Sequence, residues 1–448
     1  MHVGMFESFV TGHWFSAEAK RIWSDAATLQ AWLDVEAALA RVQARLGLVP
    51  ADAAVTIAQQ ADATRFDLVR LAEQIAFAQH PLVPVLRQLE ALCGEPAAGC
   101  IHLGATTQNI FDTAAALQMR QTHGLLVVHL GAAIDAFAAL ALRHRAAVMA
   151  GRTHGQHALP MTFGFKLAGW IDELDRDRTR LAERIGPSFP ACMGGAIGSF
   201  AALGPIGREV ERNLAAELGL MPAGLPMRAA FDRASDYVGA LGLLAATAQK
   251  IAQELVFLQR TEIGEASEAF HLGKVGSSTM AQKRNPSTAQ LLASLARLLR
   301  ARVPAALEAM VRNDEGDAAA TNVTDTLLPE LAILGVSVAE TLARLVQGLQ
   351  VHPQAMRRNL GITGGLISAE AVMMRLAPRL GRHEAHRLLY EAAQRAQSEG
   401  IAFADAIRSH PDLAALQLPE DLAALLEPGA YLGESVALTR ETIARVSR

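Results

Sequence analysis

Cysteine is scarce in this chain, which limits the disulfides and metal sites it can form and indicates the compartment in which it works. Among 448 residues the cysteines are Cys93, Cys100 and Cys192. Their number is odd and no CxxC pair occurs, so the sequence indicates neither a disulfide framework nor a zinc site. A reducing cytoplasm is the expected location.

An excess of one charge sign and the signals of membrane targeting are lacking as well. The net charge is -4 with both signs interspersed, which argues against nucleic acid or an anionic membrane as partner. The N-terminus has no basic region followed by an apolar run, so we expect no signal peptide. The apolar stretch 125–142 contains His129 and Asp135, which predicts a buried helix and not a membrane span.

Aromatic residues make up only 5% of the chain, and β-branched runs are sparse. Alanine and leucine dominate the hydrophobic 51%, a composition that favours helix and a large core. No strand alternation of useful length is present, so we predict an all-α fold. The cleanest helical seam, with steps of four and three, is typical of a bundle and consists of Tyr237, Leu241, Leu244, Ala248, Ile251, Leu255 and Leu258.

Clusters of glycine and proline, which break helices, divide the chain into long helical stretches. The predicted helices span about 107–147, 162–186, 287–312 and 328–350, besides the helix of the seam. We predict an N-terminal helical domain at 1–105, a central helix bundle at 106–350 and a C-terminal helical domain at 351–448. The wide apolar faces of the bundle exceed what one chain can hide, which predicts a homo-oligomer.

The segment 271–286, HLGKVGSSTMAQKRNP, carries the strongest chemical pattern. Ser277 and Ser278 offer hydroxyls, Lys283 a positive charge and Asn285 an amide. This mixture suits a mobile lid over an anionic substrate, although an ordinary solvated loop can have the same residue types.

Two further segments are candidate functional sites, because each is a polar stretch next to predicted apolar helices. In 151–160, GRTHGQHALP, His154 is a candidate acid or base, and Thr153 and Gln156 are candidates to orient substrate oxygens. In 102–109, HLGATTQN, a threonine can cap the following helix, whose exposed N–H groups then form an anion site. A structural histidine and plain helix capping are the alternatives. The glycine run at 193–199 predicts a turn or close backbone packing and does not match a dinucleotide motif.

These three segments resemble, in order, the signature blocks of the fumarase/aspartase superfamily. Residues 276–286 match its pattern GSSxMPxKxNP except at Ala281. The N-terminal run 22–40 and the C-terminal run 425–433 resemble the branch of adenylosuccinate lyase and 3-carboxy-cis,cis-muconate cycloisomerase. The resemblance implies a three-domain helical subunit, a homotetramer with a twenty-helix core, active sites shared between subunits, and no cofactor or metal.

The resemblance also implies roles for individual residues. Ser277 is expected to remove a proton next to a carboxylate, and His154 to act at the leaving group. The residues expected to bind substrate are Thr106, Thr107, Gln108, Thr153, Gln156, Ser278, Met280, Lys283, Asn285 and Gln290.

Three positions depart from the familiar branches. Gln290 stands where such lyases carry a glutamate that pairs with the histidine. Phe66 stands at what we take to be the place of a second histidine. The stretch 312–317, RNDEGD, is acidic where adenylosuccinate lyases bind phosphate with arginines, so it should repel phosphate.

The sequence therefore predicts a lyase that eliminates across a C–N or C–O bond of a succinate-type acid, typically releasing fumarate, or catalyses the reverse addition. Lactonisation of the 3-carboxymuconate type is the alternative reaction. A catalytically silent structural relative is the alternative class, and the intact segment 276–286 argues against it.

Overall fold

The computed structural model describes residues 5–271, 273, 276–416 and 422–446. Of the residues that the structure describes, 69% are helical, so the prediction of an all-α fold is confirmed. The N-terminal helices are α1 (Ala17–Ile22), α2 (Asp25–Arg45), α3 (Ala51–Gln60), α4 (Leu68–Ala78) and α5 (Leu82–Cys93). The central helices are α6 (Thr107–Arg143), α7 (Phe163–Ser188), α8 (Gly207–Leu218), α9 (Asp232–Leu258), α10 (Ser287–Arg300), α11 (Val303–Glu308) and α12 (Ala318–Gln347).

The C-terminal helices are shorter. They are α13 (Pro353–Leu360), α14 (Ala369–Leu380), α15 (Arg382–Glu399), α16 (Phe403–Ser409), α17 (Pro411–Ala415), α18 (Leu422–Leu426) and α19 (Ser435–Val446). A buried cluster formed by side chains such as Val372, Leu388, Phe403 and Leu413 holds α14 to α18 together.

The bundle seam predicted on α9 is confirmed. Every seam residue from Tyr237 to Leu258 is at most 3% exposed, because the alternating steps of three and four keep these side chains on one helix face. Leu243, an apolar residue off that seam, is half exposed in the single chain.

Two helix predictions need correction. The stretch 287–312 is not one helix, since α10 ends at Arg300 and α11 begins at Val303 with a proline in its first turn. Pro304 has no N–H to continue the preceding helix but fits a helix start. Helix α12 begins at Ala318, ten residues before the predicted start, because Asp317 accepts hydrogen bonds from the N–H groups of Ala319 and Ala320.

Strands were not predicted, yet an antiparallel hairpin follows α6. Strand β1 (Val148–Thr153) pairs with β2 (Gln156–Thr162), and a short pair joins β3 (Ala266–Ser267) to β4 (Gln350–Val351). His154 has φ 51° and Gly155 φ 76°, as the favoured two-residue hairpin turn requires. The side chain of Thr162 then accepts from the N–H of Phe165 and caps α7.

The described chain divides into two compact units. One comprises Met1–Leu130, Asp177–Gln249 and Ser294–Thr341, and the other Gly131–Arg176, Lys250–Ala293 and Leu342–Arg448. The dividing points fall within α6, α7, α9, α10 and α12. The division into domains at 105 and 350 stays a prediction.

Three of the described helices are long and apolar enough to cross a membrane by length and composition alone, namely α6, α9 and α12. Inside the chain, 78% of the most apolar window of α12 and 61% of that of α9 are buried, against 33% for α6. The expectation of a buried helix over 125–142 is therefore met only in part within one chain, and Val128 is 68% exposed.

Candidate active site

Residues 276–286, which match the family signature, form a loop whose two ends are joined by a hydrogen bond. The Asn285 side-chain amide donates to the carbonyl of Gly276 at 2.5 Å, and a Cβ at position 276 would lie 2.0 Å from the carbonyl oxygen of Lys283. Only glycine allows this approach, so Gly276 and Asn285 fix the shape of the loop. Residues 272, 274 and 275 of the same loop lie outside the described part of the chain.

Within this loop, the Ser277 hydroxyl is turned toward the backbone. Its Oγ accepts from the N–H of Thr279 at 3.3 Å and from the N–H of Met280 at 3.0 Å. Ser278, Met280 and Lys283 are exposed. The loop therefore presents polar side chains outward, and two N–H dipoles point at one hydroxyl oxygen.

The loop is anchored at both ends by Glu268 and Gln259. The buried Glu268 carboxylate accepts from the N–H groups of Thr288 and Ala289, at 3.1 and 2.6 Å, in the first turn of α10, where a negative charge is favoured. Gln259 accepts from the N–H of Glu268 and donates to the carbonyl of Arg284. Gln290 lies in the same first turn of α10 and is exposed.

The β1–β2 hairpin carries the second predicted segment. Thr153, His154 and Gln156 are exposed at its tip, so the structure brings these three together. His157 lies half-buried behind the tip, where burial and the nearby Arg152 lower its pKa. The exposed imidazole of His154 is the better candidate to exchange protons with a ligand.

A buried ion pair holds the base of that hairpin. Arg152 donates to the Glu265 carboxylate from both terminal nitrogens, at 2.9 and 2.6 Å. The Glu265 side chain is fully buried and Arg152 is 9% exposed. Asn359 donates to Glu265 at 2.8 Å and to the carbonyl of Ile263 at 2.8 Å, which satisfies the carboxylate further. This network fixes the strand that leads to His154.

The third predicted segment forms the start of α6. Thr106 precedes the helix, and its N–H donates to the side chain of Asn109 at 3.1 Å. Asn109 also accepts from the N–H of Gly195. This contact joins the cap to the glycine run, where a Cβ on Gly194 would lie 2.7 Å from the backbone Cα of Gly198. The predicted close backbone packing of that run is confirmed. Gln108 donates to Asp112 at 2.7 Å, one turn into the helix.

The residue that faces this cap is a histidine that the sequence prediction missed. His80 Nε2 lies 3.4 Å from the Thr107 hydroxyl, whereas Phe66 is buried in the core beside residues such as Leu33 and Leu71. The assignment of Phe66 to the place of a second histidine stays a prediction, but the histidine that the structure brings to the cap is His80. The signal was the dipeptide His80-Pro81 just before α5, because a polar residue at a helix start often points out of the core.

Among the described residues, no group of three or more His, Cys, Asp or Glu side chains could hold a metal ion. The predicted site residues thus lie on three structures: the start of α6, the tip of the hairpin, and the loop that leads into α10.

Comparisons with known proteins place the whole chain among lyases. Residues 16–300 match a family model described as Lyase, and residues 365–442 match one described as Adenylosuccinate lyase C-terminus. The chain is 38% identical to N-acetyl-S-(2-succino)cysteine lyase of Enterococcus italicus, over 93% of this chain and 92% of that one. It is 36% identical to adenylosuccinate lyase of Pyrococcus abyssi, over 96% and 95%. A crystal structure of 3-carboxy-cis,cis-muconate lactonizing enzyme from Pseudomonas putida superimposes with a TM-score of 0.89 and 35% identity, over 98% of both chains.

The buried ion pair generates a prediction about stability. Glu265→Gln removes the charge partner of a nearly buried guanidinium, so we expect unfolding free energy to fall by about 3–5 kcal/mol, measured by urea denaturation. Arg357→Gln is the matched control, because its pair with Glu427 is largely exposed and should cost at most about 1 kcal/mol. Equal losses in the two variants would show that the Glu265 network does not hold the hairpin.

Proposed function

Because this chain belongs to the fumarase/aspartase superfamily of lyases, we propose that it eliminates a heteroatom group from a succinate-type carboxylic acid and releases fumarate, or catalyses the reverse addition. The observation that carries this proposal is the closed loop 276–285, which combines an activated hydroxyl, a lysine and a fixed amide within ten residues. The start of α6 adds a second place for a carboxylate.

Ser277 is the proposed base. Two backbone N–H groups already point at its Oγ, and hydrogen bonds to an oxygen favour its negatively charged form. The oxyanion would take the proton from the carbon next to a carboxylate. The electron pair moves into that carboxylate, giving an aci-carboxylate, and then expels the heteroatom from the neighbouring carbon.

Lys283 and Asn285 are the proposed partners of the carboxylate whose charge grows. The Lys283 ammonium is exposed on the loop and is free in orientation to meet an anion. The amide of Asn285 has two N–H groups, of which one is taken by Gly276. Stabilisation that increases as charge develops lowers the barrier and not merely the KM.

Thr106, Thr107 and Gln108 are the proposed partners of the other carboxylate. The first N–H groups of α6 lack partners within the helix and carry a partial positive charge. His80, beside the Thr107 hydroxyl, and His154, at the hairpin tip, are the proposed groups on the leaving-group side.

We further propose that the atom leaving the succinate carbon is sulfur, because Gln290 favours a thiolate over an amine as leaving group. An amine leaves well only after protonation, and an imidazolium that delivers the proton is stabilised by a carboxylate and not by an amide. A thiolate leaves without that help, since a thiol has a pKa of about 8.5. The similarity to a relative named N-acetyl-S-(2-succino)cysteine lyase supports a C–S bond as the one broken. The C–N and C–O bonds remain the alternatives.

Lactonisation is the second candidate. It is supported by the structural likeness to a muconate lactonizing enzyme and by the same absence of a glutamate at position 290, because an internal carboxylate addition also needs no strong acid.

The active site is proposed to combine residues from several copies of the chain, in a homotetramer. The threonine cap precedes α6 and the His154 hairpin follows it, while α6 itself has 37 residues and is therefore about 55 Å long. Its exposed apolar side chains, such as Val128 and Leu142, would be covered in such an assembly. We propose the cytoplasm as its location.

A substrate panel followed by the ultraviolet absorbance of fumarate tests the proposed reaction. We expect release of fumarate from thioethers of 2-succinate, and slower or no release from N- and O-substituted succinates. Consumption of 3-carboxy-cis,cis-muconate in place of these would favour lactonisation. No turnover across the panel, together with no binding of succinate analogues, would contradict the assignment as an enzyme.

Replacement of the base separates chemistry from binding. Ser277→Ala should lower turnover by about a hundred- to ten-thousandfold while a dicarboxylate inhibitor still binds with nearly unchanged Kd, measured by calorimetry. Ser278→Ala is the comparison, since its hydroxyl lies one residue away. If Ser277→Ala keeps the rate of the native enzyme and Ser278→Ala does not, the base is Ser278.

Replacement of Gln290 by glutamate, the residue that the family resemblance pairs with the histidine, tests whether His154 is the acid. In Gln290→Glu, a negative charge beside an imidazole raises its pKa, so the basic limb of the pH–rate profile should move to higher pH. Gln397→Glu, which adds the same charge on the exposed face of α15, is the control. An unchanged profile in Gln290→Glu would mean that His154 orients the substrate without exchanging a proton.

A further inference from the structure

A cavity of about 350 Å³ lies within the unit that contains the start of α6. Its apolar wall includes the aromatic residues Trp23, Trp32, Phe111 and Phe231, together with Met227 and Leu328. The rings of Trp32 and Phe111 stack with centroids 4.6 Å apart. This volume is at the small end of ligand pockets, so the cavity fits a small molecule with a substantial apolar part.

Charged groups project into this apolar space. Arg228, Arg233 and Arg312 line it together with Asp112 and Asp325, which leaves an excess of one positive charge. Asp112 lies deep in the protein, yet part of its surface remains accessible, because it faces the cavity. Burial raises its pKa to about 6, although the Gln108 amide and the guanidinium groups of Arg312 and Arg228 act in the opposite direction.

Arg312 and Arg228 are held in place by hydrogen bonds to backbone carbonyls, but these bonds do not use all of their N–H donors. Arg312 donates to the carbonyls of Ala309 and Arg228, both at 2.9 Å, and its guanidinium lies 4.9 Å from the Phe231 ring centre. Arg228 donates to the carbonyl of Ala196 at 2.8 Å, and its Nε is buried without a hydrogen-bond partner among the described residues. A guanidinium has five N–H donors, so both have donors left for a ligand.

The cavity borders the proposed carboxylate site through two of its lining residues, Pro81 and Asp112. Asp112 accepts from Gln108 and is four residues further along α6, which is about 6 Å along the helix axis. Pro81, which lines the cavity, follows His80, the neighbour of Thr107. The start of α6 and the cavity are therefore close enough for one ligand to reach both.

Resting on the proposed function, we propose that this cavity receives the leaving group of the elimination, and that the leaving group is a small, mostly apolar thiol or amine bearing one carboxylate. Arg228 and Arg312 bind that carboxylate, and the aromatic wall covers the apolar part. The single excess positive charge matches a monoanion. A phosphomonoester dianion is disfavoured, because Asp112 and Asp325 repel a double negative charge more strongly than a single one.

Tryptophan fluorescence reports on the cavity directly. The chain has four tryptophans, and in the double variant Trp14→Phe/Trp170→Phe the remaining indoles are Trp23 and Trp32, which both line the cavity. Titration of that variant with N-acetyl-L-cysteine should give a saturable change of emission. Its neutral amide and adenosine monophosphate should bind at least about tenfold more weakly, as loss of a charge-assisted hydrogen bond implies.

Substitutions then locate the binding. Arg312→Gln and Arg228→Gln should each raise the Kd of N-acetyl-L-cysteine about ten- to hundredfold, whereas Arg208→Gln, on the exposed face of α8, should leave it unchanged. Ala115→Met fills the cavity without a change of charge. It should abolish this binding yet preserve the calorimetric binding of fumarate at the start of α6, which keeps the test decisive if an arginine variant fails to fold.

The outcomes separate the two proposals. If fumarate is released from a substrate but Arg312→Gln and Ala115→Met alter neither its KM nor the binding of N-acetyl-L-cysteine, the cavity is not the leaving-group site and the lyase proposal stands. If no substrate is turned over but the binding shows the expected sensitivity to both variants, the cavity assignment stands and the proposed reaction falls. Tighter binding of adenosine monophosphate than of N-acetyl-L-cysteine would overturn the assignment to a monoanion.

Discussion

The buried ion pair between Arg152 and Glu265 is the interaction on which the position of His154 depends. A carboxylate with no exposed surface is tolerated only when its oxygens are satisfied, and here Arg152 and Asn359 both donate to it. The pair joins the hairpin to the segment just after α9, from which the chain continues through Glu268 to the signature loop. This one ion pair thus fixes the hairpin relative to the segment that leads into the signature loop.

The helical part of the fold was accessible from the sequence because its information is local. The alternating steps from Tyr237 to Leu258 define a buried face without knowledge of the neighbours. Helix ends were less accessible where a tertiary or capping contact decides them, as with Asp317 at the start of α12. The hairpin was missed because its strands are short and contain glycine and proline, which are rare in strands and weaken the strand pattern in the sequence.

The candidate site was predictable in its residue types but less so in its neighbours. Ser277, Lys283 and Asn285 could be proposed from a contiguous motif, and the structure adds that Asn285 also holds the backbone of Gly276. His80 was not found, because its relation to Thr107 depends on how the N-terminal helices pack. No motif in the sequence indicates the cavity around Asp112, since its walls come from distant segments that extend from Trp23 to Pro329.

The approach of Gly276 to the carbonyl of Lys283 has a consequence for how this enzyme can be altered. The loop is closed by backbone atoms, by the amide of Asn285 and by the Ser277 hydroxyl, and the side chains at 279, 281 and 282 take no part in these contacts. Thr279, Ala281 and Gln282 are exposed, so variation there changes the surface that the loop presents while its closed form is retained. Substrate range is therefore open to engineering at these positions, whereas position 276 offers no such freedom.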